Sequence, residues 1–172
     1  MKSLLYLFFT GLVFLTGCTR PEALGPGATF PALSVENLSG ETVAVPAQFS
    51  AEMRLISIRT LGCRFCKSDF AEMEKLYQYY DRDKLAIFVI NVGFEKKNVA
   101  DFLRDKTVSF PVLVDKAMES MKLTKTTILP VVYLIDSRDV IIARIQGSFS
   151  FEEIRYEIDS FAEKSLREKN SL

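Results

Sequence analysis

Leu85 to Val92 reads LAIFVINV, eight residues in which Asn91 is the lone polar side chain. An apolar run of that length suits a central strand buried on both faces, and such a strand needs a covering layer on each side. The flanking sequence supplies helices. Arg64 to Tyr80 sets Phe65, Phe70, Met73, Leu76, Tyr77 and Tyr80 near helical spacing. Lys97 to Arg104 places Val99, Phe102 and Leu103 on one side of a short helix. Further strands surround them. Arg54 to Arg59 (RLISIR) is β-branched and apolar at alternate positions. Phe30–Leu38 and Thr42–Val45 flank Ser39-Gly40, a hairpin turn. Phe110–Val114 predicts a small strand, and Val131–Ile135 and Val140–Ile145 flank the polar turn Asp136–Asp139. Ser150 with Glu153 makes a capping box for a last helix over Phe151–Arg167. A βαβ unit followed by a hairpin and a closing helix predicts an α/β domain, a central mixed β-sheet flanked by helices with an N-terminal β-hairpin.

The chain has 172 residues, enough for one ordinary domain with its own core. Lys plus Arg and Asp plus Glu both number 22, so nothing drives the phosphate neutralisation that nucleic-acid binding requires. There is no histidine, which excludes a Ser-His-Asp triad, a Cys-His pair and a His-ligated zinc or copper site.

The N-terminus reads as an export signal. Lys2 precedes Leu4–Leu15, a run without charge and too short for a permanent membrane span. It ends in Leu15-Thr16-Gly17-Cys18, which resembles the bacterial lipobox. That likeness implies that residues 1–17 are a lipoprotein signal peptide and that Cys18 is lipidated as the mature N-terminus. Acyl chains bury with about 0.8 kcal/mol per CH₂ and hold such a protein on a membrane. Residues 18–28, with Pro21, Gly25, Pro26 and Gly27, are expected to form a tether, and residues 29–168 the domain. The domain is then extracytoplasmic, periplasm-facing where the cell has an outer membrane, in a compartment that permits disulfide chemistry.

Cys63-Arg64-Phe65-Cys66 stands where the Arg54–Arg59 strand gives way to the following helix. The spacing brings both sulfurs to one face of a first helical turn, within disulfide reach. Unpaired N–H groups at a helix N-terminus favour a thiolate, the attacking species in disulfide exchange. Position therefore assigns Cys63 as nucleophile and Cys66 as the resolving thiol. A zinc site would need a second pair or histidines, and the sequence has neither. As a structural staple the pair is poor, because so short a loop constrains the unfolded chain little. Asp69, one turn beyond Cys66, has two readings. It can accept the proton of Cys66, or it is a solvated acid that complements the helix dipole. Phe65 reads as an apolar rim contact for a substrate.

The chain resembles the membrane-tethered thiol–disulfide oxidoreductases of the TlpA/ResA group, thioredoxin-fold members of the redoxin superfamily. The likeness runs over about residues 26–167 and rests on order and spacing. It comprises Gly27-Ala-Thr-Phe-Pro31, Cys63-x-x-Cys66-Lys-Ser-Asp69, Phe110-Pro-Val-Leu-Val-Asp115 and Leu129-Pro130-Val-Val-Tyr-Leu-Ile-Asp136. Gly62 stands where the group usually has an aromatic residue, and Val131 where it has threonine. The resemblance implies a thioredoxin-like fold and a cis Leu129–Pro130 bond whose loop docks the substrate backbone beside the cysteines. It implies disulfide-containing protein substrates, a membrane-bound thiol electron donor and no cofactor. It also implies net reduction of protein disulfides, with the apocytochrome c cysteines as one target class. Two other functions compete. Thr60-x-x-Cys63 resembles the peroxiredoxin motif, although Ile56 stands where that family has proline. A metal-chaperone or binding module of the redoxin type would want a histidine ligand.

Overall fold

The computed structural model describes residues 22–62 and 66–170. The signal segment, Cys18, Cys63 and Phe65 lie outside the described residues. The strands are β1 (Leu33–Asn37), β2 (Thr42–Val45), β3 (Met53–Arg59), β4 (Leu85–Val92), β5 (Val112–Asp115), β6 (Val131–Asp136) and β7 (Ile141–Gln146). The helices are α1 (Cys66–Tyr79), α2 (Lys96–Leu103), α3 (Glu119–Thr124) and α4 (Phe151–Asn170).

The strands form one seven-stranded mixed sheet in the order β2-β1-β5-β4-β3-β6-β7. β3, β4 and β5 run parallel through the α1 and α2 crossovers, while β1–β2 and β6–β7 are antiparallel hairpins. The expected α/β class with a mixed sheet and an N-terminal hairpin is what the chain adopts. Its reason is the one in the sequence: β4 is buried almost throughout and occupies the middle of the sheet.

Two apolar layers sandwich that sheet. On one face Leu55, Ile87, Val89 and Val132 pack against Phe70, Met73 and Leu76 of α1, Val99 of α2, and Ile154 and Ile158 of α4. On the other, Ile56, Ile58, Phe88, Ile90 and Tyr133 pack against Phe30 and the hairpin residues Leu33, Val35, Val43 and Val45. Fully burying an aliphatic or aromatic side chain contributes about 1.5–3 kcal/mol, so these layers dominate stability.

Three sequence expectations need correction. β3 was expected to alternate between core and polar positions, but all seven of its residues are buried, Arg54, Ser57 and Arg59 included. It lies between β4 and β6, so both of its faces are covered. The short helix α3 was not expected, because its cap is displaced. Asp115, at the end of β5, accepts the N–H groups of Glu119 and Ser120 at 3.0 and 2.7 Å, while the residue at the capping position is Met118. Finally, residues 24–28 do not hang free as a tether. Leu24 donates its N–H to Thr124 O (3.0 Å), Gly27 to Ile141 O (2.8 Å), and Ile141 donates back to Ala28 O (2.9 Å). Gly27, at φ +86°, turns the chain onto the β7 edge. Glycine and proline forbid a long helix here, but they do not forbid docking. Among the described residues no helix is long and apolar enough to cross a membrane.

Candidate functional site

The site is organised by the C-terminal end of β3. Parallel pairing sets Arg59 beside Asn91 of β4, and antiparallel pairing sets Ile58 beside Val131 of β6. One further step of that register puts Pro130 across from Arg59. α1 opens at Cys66, seven residues after β3 ends at Arg59, so the start of that helix and the Leu129–Pro130 loop both follow from the same end of β3. Leu129–Pro130 is cis, as the resemblance implied. Pro130 is buried and its carbonyl accepts the Gly147 N–H at 2.8 Å. Leu129 is partly buried against the second apolar layer.

Cys66 opens α1, and Asp69 follows in its first turn. An acid there complements the helix dipole. The expectation of a solvated acid is corrected by its surroundings: Asp69 is 1% exposed and lies 3.5 Å from the Arg59 guanidinium, itself 1% exposed. That guanidinium also stands 4.2 Å from the Phe70 ring centroid. Burial lowers the Arg59 pKa to about 10, with Asp69 acting in the opposite sense. Arginine is the cation best suited to such a place, since its ordinary pKa is far enough above neutrality to keep it charged.

The buried polar group extends along one face of the sheet. Ser57, Arg59 and Asn91 alternate with the residues of the second apolar layer and so face α1. Among the described residues, the Ser57 hydroxyl and both polar atoms of the Asn91 side chain have no hydrogen-bond partner. Unsatisfied buried groups are costly, and they concentrate where function demands them. Chemically, the arrangement can hold a carboxylate and its counter-cation out of water one turn from Cys66.

Sequence reasoning singled out Asp69 and missed Arg59 and Asn91. A signal was present: Arg59 interrupts an otherwise apolar strand end four residues before Cys63. A cation at that point in a buried strand requires a partner. Among the described residues no group of three or more Cys, Asp or Glu is placed to hold a metal ion.

Known proteins share this architecture. The chain is 26% identical over 151 residues to the thiol-disulfide oxidoreductase ResA of Geobacillus thermodenitrificans, covering 83% of this chain and 81% of that one. It is 21% identical over 156 residues to the sporulation thiol-disulfide oxidoreductase A of Bacillus subtilis, covering 88% and 92%. Among solved structures, the thioredoxin domain of the thiol-disulfide oxidoreductase BVU-2223 from Bacteroides vulgatus superposes with a TM-score of 0.69 at 16% identity, over 79% of this chain and 99% of that domain. The fold is therefore thioredoxin-like. With residues 26–144 matching the family as a whole, the chain belongs to the AhpC/TSA family.

Proposed function

We propose that this protein is an extracytoplasmic thiol–disulfide oxidoreductase, anchored to a membrane through lipidated Cys18, that exchanges the Cys63–Cys66 pair with disulfides of protein substrates. The observation that carries this reading is the convergence of three features at one end of the sheet. They are Cys66 as the first residue of α1, the buried Asp69 within the first turn of that helix, and the Leu129–Pro130 loop opposite Arg59. The thiol-disulfide oxidoreductase names of the relatives support the same chemistry.

The reaction runs as a reduction of the partner. The Cys63 thiolate attacks one sulfur of the partner disulfide, forming a mixed disulfide and releasing the other partner sulfur as a thiolate that takes up a proton. Cys66 then loses its proton, attacks Cys63, and frees the second partner thiol. Two electrons pass from the dithiol to the partner, and a Cys63–Cys66 disulfide remains. In this reading Asp69, one turn along α1 from Cys66, takes the Cys66 proton. A dithiol of a membrane protein restores the reduced pair. Phe65 and Leu129 are assigned to substrate contact in this reading, and the apocytochrome c cysteines are one target class for such a reductase.

The test is capture. Cys66→Ser should accumulate a covalent complex between Cys63 and substrate proteins, released by dithiothreitol, whereas Cys63→Ser should not. Capture chiefly through Cys66 would reverse the assignment of roles. The Thr60-x-x-Cys63 spacing favours one competing reading, a thiol peroxidase. In that case Cys66→Ser would keep fast peroxide-dependent conversion of Cys63 to sulfenic acid and would trap few disulfide partners.

A further inference from the structure

A cleft of about 850 Å³ opens beside the loop that leads to Pro130. Its walls come from separate parts of the chain: Ala23, Met118 and Met121, Lys122 and Lys125, Thr126 and Thr127, and Arg144 and Gln146 at the end of β7. The lining carries three cations and no carboxylate. Of these cations Lys122 is paired with Glu119, which lies outside the lining, at 2.6 Å. Lys125 has no such partner among the described ion pairs, and the buried Nε of Arg144 has no hydrogen-bond acceptor among the described residues. The Arg144 Nη2 is satisfied by Gln146 at 2.9 Å.

Two further observations mark this region. Met118 and Lys125, at the two ends of α3, are non-glycine residues held at φ +57° and +55°. Left-handed non-glycine residues are strained and gather at functional surfaces. Exposed large apolar side chains also gather here: Met118 at 45% caps the start of α3, Leu123 at 43% lies within it and Ile128 at 55% in the loop after it. A surface that combines apolar contacts with an excess of positive charge fits an extended peptide of the opposite character.

We infer that this cleft docks the disulfide-bearing segment of the substrate protein, and that it selects segments in which acidic side chains flank an apolar residue. The inference rests on the thiol–disulfide reading above and adds the chemistry of the partner to it. Apolar side chains of the segment cover Met118 and Met121 while its carboxylates meet Lys122, Lys125 and Arg144. The adjoining Thr126–Pro130 stretch then carries the segment's disulfide toward the C-x-x-C end of the sheet. Because the charges lie at the rim of the site, they act mainly on encounter rate and are screened over about 10 Å at 0.1 M salt.

Two peptides test this on the full-length protein in detergent. Both carry one intramolecular disulfide and an apolar core; one is flanked by aspartates and the other by lysines. Reduction by the wild-type dithiol should be about tenfold faster in kcat/KM for the acidic peptide, with the ratio shrinking as salt rises. In the Lys122→Glu/Lys125→Glu variant the ratio should fall to one or below, and Arg144→Gln alone should lower it partway. Equal rates for the two peptides, or a ratio unmoved by the charge reversal, would overturn the inference. Serine-for-cysteine versions of the same peptides, followed by fluorescence anisotropy, separate the cleft from the chemistry. Preferential binding of the acidic serine peptide without turnover of either disulfide would keep the cleft assignment and remove the redox reading. Turnover without preferential binding would do the reverse.

Discussion

Arg59, the last residue of β3, and Asp69, in the first turn of α1, form an ion pair at 3.5 Å with both side chains 1% exposed. The pair ties the strand that enters the C-x-x-C to the helix that leaves it. Neither group could be buried at neutral pH on its own, because the desolvation of a lone charge costs several kcal/mol. Each therefore specifies the other, and together they set the register of α1 over the sheet.

Removing the cation should be destabilising. Arg59→Met keeps the bulk of the side chain but deprives Asp69 of the guanidinium, and should lower unfolding free energy by about 3–5 kcal/mol. The double variant Arg59→Met/Asp69→Leu should recover most of that loss, since no charge is left buried. Denaturant midpoints at pH 7 measure both. A single variant as stable as wild type would show that the pair is not what holds the helix in place.

Replacing the acid should act on the chemistry. Asp69→Asn preserves shape and removes the group assigned to take the Cys66 proton. The second step of exchange, release of the mixed disulfide, should slow by about 10²-fold at neutral pH and recover as pH rises toward the ordinary thiol range. Rapid-quench trapping of the mixed disulfide across pH reads this directly. An unaltered pH profile would leave Asp69 with a structural part only.

Tyr80 offers a test of burial on the alkaline side. Burial pushes its phenol up to about 12, helped by Asp159 and Tyr79. A phenol raised by burial carries no ionisation penalty below its unfolded value, near 10, and stability falls as pH rises from there through about 12, because the unfolded chain ionises first. Its hydroxyl has no hydrogen-bond partner among the described residues. Tyr80→Phe should therefore leave stability at pH 7 unchanged or slightly higher, and should flatten the decline between pH 10 and 12. Urea melts at those pH values check the prediction. Because burial moves Arg59 the other way, comparison of wild type with the single variant is needed to isolate the tyrosine.

For the anchor, Cys18→Ser should release the protein from membranes while the reduction rate of a small disulfide stays as in wild type. The docked segment begins by Leu24, six residues after Cys18 in sequence. Mass analysis of the N-terminal peptide tests the lipid itself, and fractionation tests its consequence. Membrane retention of Cys18→Ser would mean that another feature holds the protein there.

The sequence by itself determined the class of fold, because the signals involved are local. β4 declared its central place through eight nearly unbroken apolar residues, and the hairpins declared themselves through Ser39-Gly40 and Asp136–Asp139 between strand-length runs. The last helix began where its cap was written, with Ser150 Oγ accepting the Glu153 N–H at 3.2 Å. The C-x-x-C and Pro130 were equally visible, since their chemistry depends on residue type and order. Only the tertiary structure decided what surrounds them. Whether Arg59 points to solvent or to α1 depends on β3 being covered on both faces, which no window of the strand reveals. Whether Asp69 is hydrated or paired depends on Arg59, ten residues away in sequence. Helix α3 exists because Asp115 reaches past the usual capping position, and the cleft beside it joins residues from Ala23 to Gln146. Burial and charge pairing are properties of what packs together, and that is settled by the whole chain at once.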